Sequence, residues 1–297
     1  MAARDLLGYG GKPPDPRWPG GARVAVSFVV NFEEGAEFSI ADGDADNEAV
    51  YEIEQRLVGQ PDPAIDSHFE YGSRAGWWRI MDLLGEHGAK ATVSTSGRAA
   101  ERLPLLAADA AKRGHELSAH GWRWESHHGL SEAEERERIA RTVAAIQAAA
   151  GTRPVGWHTR SPASYNTRRL LVEEGGFLYD SDAYNDDLPY FVEVGGRRHL
   201  VLPYAFDTND MQFFHTQRFS GARDFAEYLI EAFDWLHREG AHQPKMLSIG
   251  LHLRMIGRPG RIGALDRILR HIHDKRGAWI ARRMDIARHW LALYPSP

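Results

Sequence analysis

The sequence of 297 residues contains no cysteine, and this absence excludes several kinds of site. A disulfide framework, an iron–sulfur cluster, a cysteine-ligated zinc and a cysteine nucleophile are all impossible. Any metal ion would have to be bound by histidine and carboxylate side chains. The sequence supplies 15 histidines, so composition alone leaves such a metal site open.

An excess of positive charge and a long apolar run are also lacking. The 36 Lys and Arg residues are outnumbered by 41 Asp and Glu, which argues against a nucleic-acid partner. The longest apolar run, near residues 24–30, is much shorter than the roughly 20 residues of a membrane span. The first residues lack the basic and apolar regions of a secretory signal. We therefore expect a cytoplasmic protein that acts on a small molecule and has no membrane partner.

Strand-like and helix-like segments alternate about seven times after residues 1–21, a Gly- and Pro-rich stretch that we expect to form an irregular arm. The predicted strands, such as residues 23–30 and 246–251, are almost continuously apolar, which is typical of a parallel sheet covered by helices. Ser131 and Glu134 form a capping-box pattern that opens the clearest helix. The pattern predicts a single α/β domain over residues 1–297, with a TIM-like (β/α)7 barrel favoured over an open sheet.

Titratable residues follow the predicted strands, at the end of a barrel where enzymes of this architecture place their chemistry. The candidates after successive strands are Glu33 and Glu34, His120 and Trp124, Arg160, Asp180 and Asp182, and His252. Each has a simpler interpretation as a solvated turn, a structural histidine, a salt-bridge partner or a core aromatic. Two histidines joined by a carboxylate, however, would form a plausible acid–base set.

With these residues in hand, the chain resembles the polysaccharide deacetylase (NodB-homology) superfamily, and within it the allantoinases of urate catabolism. The resemblance implies a distorted barrel of about seven strands and hydrolysis of a non-peptide C–N bond. Its most specific stretches span nearly the whole chain: DLLGYGG at 5–11, NFEEG at 31–35, YGSRAG at 71–76, HGWRW at 120–124, EEGGFLYDSDAY at 173–184, DLPY at 187–190, DTNDM at 207–211 and GLHLRMIGRPGR at 250–261.

The family's metal motif is only half retained. The superfamily places a base and a metal-binding carboxylate in Thr-Phe-Asp-Asp-Gly, where this chain has Glu33 and Glu34. It also places two metal-binding histidines four residues apart, but the partner of His120 is Trp124, whose indole cannot ligate a metal. The resemblance to the allantoinases implies metal-independent chemistry. If a metal were bound, Glu34 and His120 would hold it, and His127 or His128 would have to replace the missing ligand.

Two further motifs survive. Arg-x-Pro is present as residues 160–162 and Leu-His as residues 251–252. The loop at 156–168 is one residue longer than in the allantoinases and keeps the deacetylase order of Arg-x-Pro. This departure leaves the reaction class in place but leaves the substrate open between allantoin, another cyclic imide and an N-acetylated sugar.

The sequence therefore predicts a hydrolase that opens a cyclic amide or ureide such as allantoin without a cofactor. Glu33 would be the base, Arg160 would hold the oxyanion and His252 would protonate the leaving nitrogen. The expected substrate-binding residues are Glu34, His120, Trp124, Asp180 and Asp182.

Two alternatives remain: an N-acetyl-sugar deacetylase with a divalent metal such as zinc, and a non-catalytic binding protein on the same fold. The resemblance also suggests a homo-oligomer, a tetramer, with the N-terminal arm as a candidate contact.

Overall fold

The centre of the fold is a strand of apolar, mostly β-branched and aromatic residues, β1 (Val24–Phe32), in which all nine residues are buried. The computed structural model describes residues 4–160, 162–215 and 218–295. A strand buried on both faces requires cover on both faces, which a helix-covered parallel sheet provides. On one side β1 pairs in parallel with β8, and on the other its two ends pair with β9 and β2.

The described residues contain nine strands and nine α-helices in one chain order. The remaining strands are β2 (Thr92–Thr95), β3 (Glu116–Ala119), β4 (Gly156–Trp157), β5 (Tyr179–Asp180), β6 (Tyr190–Val194), β7 (Arg197–Val201), β8 (Lys245–His252) and β9 (Ala278–Ile280). The helices are α1 (Pro63–Tyr71), α2 (Trp77–Glu86), α3 (Gly97–Arg102), α4 (Pro104–Lys112), α5 (Glu132–Ala150), α6 (Thr167–Glu174), α7 (Ala222–Glu239), α8 (Pro259–Asp274) and α9 (Arg283–Leu293).

The sheet is the predicted distorted barrel. Its order is β6-β7-β5-β4-β3-β2-β1-β8, and all pairings are parallel except that of β6 with β7. Loops rather than paired strands connect β8 back towards β7. In this gap Gly250 N–H donates to Thr208 O at 3.0 Å, and Met246 N–H donates to Asp187 O at 2.8 Å. The barrel is therefore curled through seven parallel strands and joined at the last position by loop contacts.

Local sequence signals explain several element ends. The predicted capping box is present, since the Ser131 side chain accepts from Glu134 N–H and the Glu134 carboxylate accepts from Ser131 N–H. Helices α3 and α4 are separate because Pro104 cannot continue a helix and begins a new one.

Two elements were not anticipated. Strand β6 forms a hairpin with β7 across the pair Gly195-Gly196, both at positive φ, as tight hairpin turns require. Helix α1 begins after Asp62, whose carboxylate accepts from Ala64 and Ile65 N–H. It continues through a π-helical turn, Gly72–Gly76, into α2.

The described part of the N-terminal arm begins at residue 4 and contains one short 3-10 helix, Pro19–Gly21. Trp18 anchors it: the indole is buried, donates to Lys245 O at 2.9 Å and packs against Trp279 and Trp290. Within residues 4–160, 162–215 and 218–295, no helix has the length and apolarity needed to cross a membrane.

Candidate active site

A cavity of about 320 Å³ lies at the carboxyl ends of the strands. The end of β1 carries Glu33, the end of β3 carries His120, and β8 ends at His252. Parallel strands bring these ends to one side of the sheet. The cavity is lined by Asn31, Glu33, Ala49, Tyr51, His120, Trp124, His158, Arg160, Tyr184, Tyr204, Ala205, Phe206, Asn209, Met211, Gln212, His215 and His252.

Glu33 forms the floor of the cavity and is 1% exposed. Its Oε1 lies 3.5 Å from His120 Nε2 and 3.4 Å from His252 Nε2. Its Oε2 accepts a hydrogen bond from Arg254 Nη1 at 2.7 Å. Burial alone would raise the pKa of this carboxyl, but the positive charges of His252 and Arg254 outweigh it and hold the pKa well below the usual range. Glu33 is therefore ionised at neutral pH.

His252 is held as a cation by two carboxylates. Its Nδ1 lies 2.6 Å from Asp210 Oδ1, and Asp210 Oδ2 accepts from the backbone N–H groups of His252 and Ile256. Burial lowers the pKa of His252, but Glu33 and Asp210 together raise it to about 10. The Nδ1 proton is committed to Asp210, so the second proton lies on Nε2, facing Glu33 and the cavity.

His120 is oriented by its neighbour His158. Its Nδ1 lies 2.6 Å from the carbonyl oxygen of His158, which only accepts, so this nitrogen carries the proton. In the neutral ring Nε2 is then an acceptor that faces Glu33. The two imidazoles also stack, with centroids 4.9 Å apart. Burial lowers the pKa of His158 well below its usual value, and the neighbouring His120 lowers it further.

Arg160 and Trp124 form one wall of the cavity. The Arg160 guanidinium lies over the Trp124 ring at 3.8 Å, and its Nη1 donates to Trp124 O at 2.7 Å. Nη2 contacts Glu48 at 3.3 Å. Both residues lie where the sequence places them, at the cavity. Ser161, the middle residue of the Arg-x-Pro motif, lies outside the described residues.

Glu34 does not line this cavity, contrary to the expectation that it binds substrate beside Glu33. Glu34 lies in the turn that follows β1, and its side chain faces the π-helical turn, where its Oε1 lies against Gly72. Its Oε2 accepts from Glu33 N–H at 3.1 Å. Burial and the nearby Glu33 charge raise the pKa of Glu34 to about 8.

Asp180 and Asp182 also lie outside the cavity, so the expectation that they contact substrate finds no support in their positions. Asp180 accepts two hydrogen bonds from Arg168, at 2.6 and 2.9 Å, and contacts His199 at 3.0 Å. Asp182 accepts from the backbone and hydroxyl of Thr159, both at 2.7 Å. Neither carboxylate lines the cavity, and both bind groups of neighbouring segments.

The metal site of the deacetylases does not fit these residues. The described part of the chain contains no group of three His, Asp or Glu side chains arranged to hold a metal ion. Trp124 occupies the second histidine position, and the Arg254 cation binds Glu33. His127 does not replace the missing ligand, because its Nδ1 is bound at 2.8 Å to Glu135, beneath helix α5.

Three residues of the site were not identified from sequence. Asp210 lies in the DTNDM stretch and Arg254 in the GLHLRMIGRPGR stretch, so both lie in segments that the resemblance singles out. His158 follows β4, at the same end of the sheet as Glu33. A cation that neutralises Glu33 and a carboxylate that binds His252 are expected near these segments, but the sequence spacing does not identify which residues they are.

Comparisons with known proteins agree with this geometry. The polysaccharide deacetylase family model matches residues 58–177. A putative polysaccharide deacetylase from Schizosaccharomyces pombe is 39% identical, over 98% of this chain and 98% of its own length.

Two solved structures cover all of this chain and are covered completely by it. PuuE allantoinase matches with a TM-score of 0.96, and a probable polysaccharide deacetylase from Pseudomonas aeruginosa with a TM-score of 0.95, each at 46% identity. The chain belongs to the polysaccharide deacetylase family, and it is a hydrolase of carbon–nitrogen bonds with an allantoinase-like structure.

Proposed function

We propose that this protein opens a cyclic ureide or amide, such as allantoin, by adding water across a ring C–N bond. The observation that carries the proposal is the position of Glu33 Oε1, between His120 Nε2 at 3.5 Å and His252 Nε2 at 3.4 Å. Two acceptors, Glu33 Oε1 and His120 Nε2, and the protonated imidazole of His252 therefore lie together at the bottom of one cavity. The similarity to PuuE allantoinase supports the same substrate class.

The nucleophile in this proposal is a water molecule held by two acceptors. It donates one hydrogen to Glu33 Oε1 and the other to His120 Nε2, which leaves an oxygen lone pair directed at the substrate. As the water oxygen bonds to the carbonyl carbon, Glu33 takes one of its protons. The His158 carbonyl holds the His120 tautomer that this arrangement requires.

Breaking the ring requires a stabilised oxyanion and a protonated leaving nitrogen. Arg160, on the cavity wall, is positioned to stabilise the negative oxygen together with backbone N–H groups. His252 donates its Nε2 proton to the leaving nitrogen as the C–N bond breaks. The proton taken by Glu33 then restores His252, and the product carries a new carboxyl group.

Arg254 provides a positive charge beside Glu33 in this proposal, in a site whose residues do not fit a metal. A metal would polarise the carbonyl, and this help is worth several kcal/mol. A cyclic ureide carbonyl needs less polarisation than an ordinary acetamide, so the proposed substrate class agrees with metal-independent chemistry.

The test is turnover of allantoin, a plain cyclic imide and an N-acetylated amino sugar by the purified protein, with and without EDTA, after elemental analysis. We expect turnover of the ureide or imide, unchanged by the chelator. Deacetylation of the sugar that EDTA abolishes would establish the alternative deacetylase with a divalent metal. Turnover of none of the three would favour a binding protein on this fold.

The remaining expectations are part of the same proposal. We propose that the protein works in the cytoplasm, without a cofactor and without nucleic-acid or membrane partners, as a homotetramer. Sedimentation velocity of the purified chain measures the assembly, and a monomer at micromolar concentration would contradict it.

A further inference from the structure

A second cavity, of about 560 Å³, lies between the N-termini of helices α7 and α8. It shares no lining residue with the catalytic cavity in the described part of the chain. One wall is the Gly-Arg-Pro-Gly-Arg end of a stretch that the family resemblance singles out and that the proposed reaction does not use. From this stretch Arg258, Gly260 and Arg261 line the cavity.

Neither arginine of this cavity is bound directly by an acid in the described part of the chain. Arg258 donates to His68 Nδ1 at 3.1 Å and to the Arg254 carbonyl at 3.3 Å, and it lies over the Tyr71 ring at 3.5 Å. Arg261 lies against two phenylalanine rings, with distances of 4.6 and 4.7 Å to their centroids. Among residues 4–160, 162–215 and 218–295, no carboxylate lies within ion-pair distance of either guanidinium, although Asp210 and Glu52 are near enough to raise the pKa of Arg261.

The carboxylate that lines this cavity is already used. Glu52 Oε1 lies 3.2 Å from His68 Nε2 and 3.3 Å from Arg254 Nε. Burial has the largest effect on Arg261 and lowers its pKa; the charges of Asp210 and Glu52 raise it, and the Arg258 charge lowers it. Two like charges thus adjoin one cavity, and a bound anion would relieve their repulsion.

Two helix N-termini add to this positive field. Helix α7 has 18 residues and begins at Ala222 after Gly221, and helix α8 has 16 residues and begins at Pro259 after Arg258. Gly221, Ala222 and Gly260 line the cavity. The first N–H groups of a helix carry partial positive charge and favour anions, so the helices and the two arginines act in the same direction.

We propose that this cavity binds a small oxyanion, a carboxylate or a phosphate, between Arg258 and Arg261. The planar guanidinium groups match the oxygens of either anion, and 560 Å³ accommodates a small metabolite. The site is separate from the one that performs hydrolysis, so the proposal does not depend on the substrate.

The bound anion also regulates hydrolysis in this proposal, through a continuous series of charged contacts. Arg258 contacts His68 at 3.1 Å, His68 contacts Glu52 at 3.2 Å, Glu52 contacts Arg254 at 3.3 Å, and Arg254 binds Glu33 at 2.7 Å. An anion that draws Arg258 towards itself loosens its hold on His68 and shifts the balance of charge at Arg254.

The test is calorimetric titration of the purified protein with sodium phosphate and with sodium acetate at constant ionic strength. We expect binding that weakens about tenfold or more in Arg258→Gln and in Arg261→Gln, since each removes a charge-assisted contact. Arg267→Gln, an exposed position on the same helix, is the matched control and keeps the wild-type affinity. Tighter binding of phosphate than acetate identifies a phosphorylated ligand, and the reverse a carboxylate.

A further variant separates the two cavities. Arg160→Gln removes the cation of the catalytic cavity and leaves phosphate affinity unchanged if the ion binds at Arg258 and Arg261. No binding to the wild-type protein, or equal affinity in Arg261→Gln, overturns the proposal. So does dissociation of an oligomer by Arg261→Gln without any anion binding, because a second copy would then occupy the cavity.

The proposed regulation of hydrolysis by the bound anion is tested separately, by steady-state kinetics. Saturating phosphate or acetate changes kcat or KM of the wild-type protein and has no effect in Arg261→Gln. If binding is measured and neither constant changes, the regulatory half of the proposal is wrong and the binding half stands.

Discussion

Two buried acidic clusters lie at the ends of strands β1 and β5 of the same sheet, and only one of them faces the catalytic cavity. Glu33 after β1 and Asp180 at the end of β5 are each 0–1% exposed and each contact an arginine and a histidine. By residue type and position in the sheet they are alike. Their chemical capacity nevertheless differs.

The difference lies in how completely the protein satisfies each carboxylate. Both oxygens of Asp180 are bound by donors at 2.6 to 3.0 Å. Glu33 Oε1 has its nearest ring nitrogens at 3.4 and 3.5 Å, across a cavity that can admit water or substrate. A carboxylate whose acceptors are all filled can hold a fold together, whereas one with an open acceptor can also exchange a proton.

The largest expected effect comes from Glu33→Gln, which removes the proposed base while keeping its shape. We expect kcat to fall by about 10³-fold, because the amide cannot accept the proton from water. The matched control is Asp182→Asn in the other cluster, where burial and the neighbouring Asp180 raise the pKa of Asp182 to about 7. Its kcat should stay within about twofold, and steady-state kinetics of both variants on allantoin decide the point.

Arg254→Gln should have the next largest effect, about 10²-fold in kcat/KM, because Glu33 loses its cationic partner. Removing the cation raises the pKa of Glu33, so the acid limb of the pH profile moves to higher pH. Arg254→Lys should restore part of both. An unmoved acid limb in a folded Arg254→Gln protein, checked by circular dichroism, would limit Arg254 to a structural role.

The Asp210 contact should set the basic limb of the profile. With the pKa of His252 near 10, the proton on Nε2 is present through neutral pH and is lost as the pH rises past about 10. Asp210→Asn removes one of the two anions that raise this pKa, so activity should decline at lower pH. A profile of kcat/KM from pH 6 to 11 tests this, and identical basic limbs in both proteins would exclude His252 as the acid.

Asp180→Asn should have the smallest effect on turnover, within about twofold, and should instead lower stability. Its charge-assisted bonds to Arg168 weaken, at a cost of about 2 kcal/mol to the free energy of unfolding. Urea unfolding and kcat measured on the same preparation separate the two effects. A loss of kcat with unchanged stability would return Asp180 to the catalytic machinery.

Much of the fold is predictable because its signals are local. The buried strand β1, the Ser131 capping box and the alternation of strands with helices all arise from side chains close in sequence. The β6–β7 hairpin had a usable signal as well, the Gly195-Gly196 pair. The site was predictable as far as Glu33, His120, Arg160 and His252, because parallel strands end at one side of the sheet.

Whether the other expected substrate-binding residues reach the cavity depends on the direction of their side chains and on their distance from it. Glu34 is adjacent to Glu33 in sequence, but it lies in the turn after β1 and its side chain faces Gly72 instead of the cavity. Asp180 and Asp182 lie at the end of a strand, as the residues of the cavity do. The sequence does not reveal that Arg168, His199 and Thr159 bind their carboxylates.

The sequence by itself determined that no thiol takes part, that a parallel sheet ends in carboxylates and histidines, and that Trp124 stands where a second metal-binding histidine would be. The tertiary structure decided that Arg254 balances Glu33, across a separation of 221 residues, and that Asp210 holds His252, across 42. Such pairings depend on how distant loops pack over the end of the barrel. Local pattern carries no information about these paths, and they set the charge and the proton positions of the site.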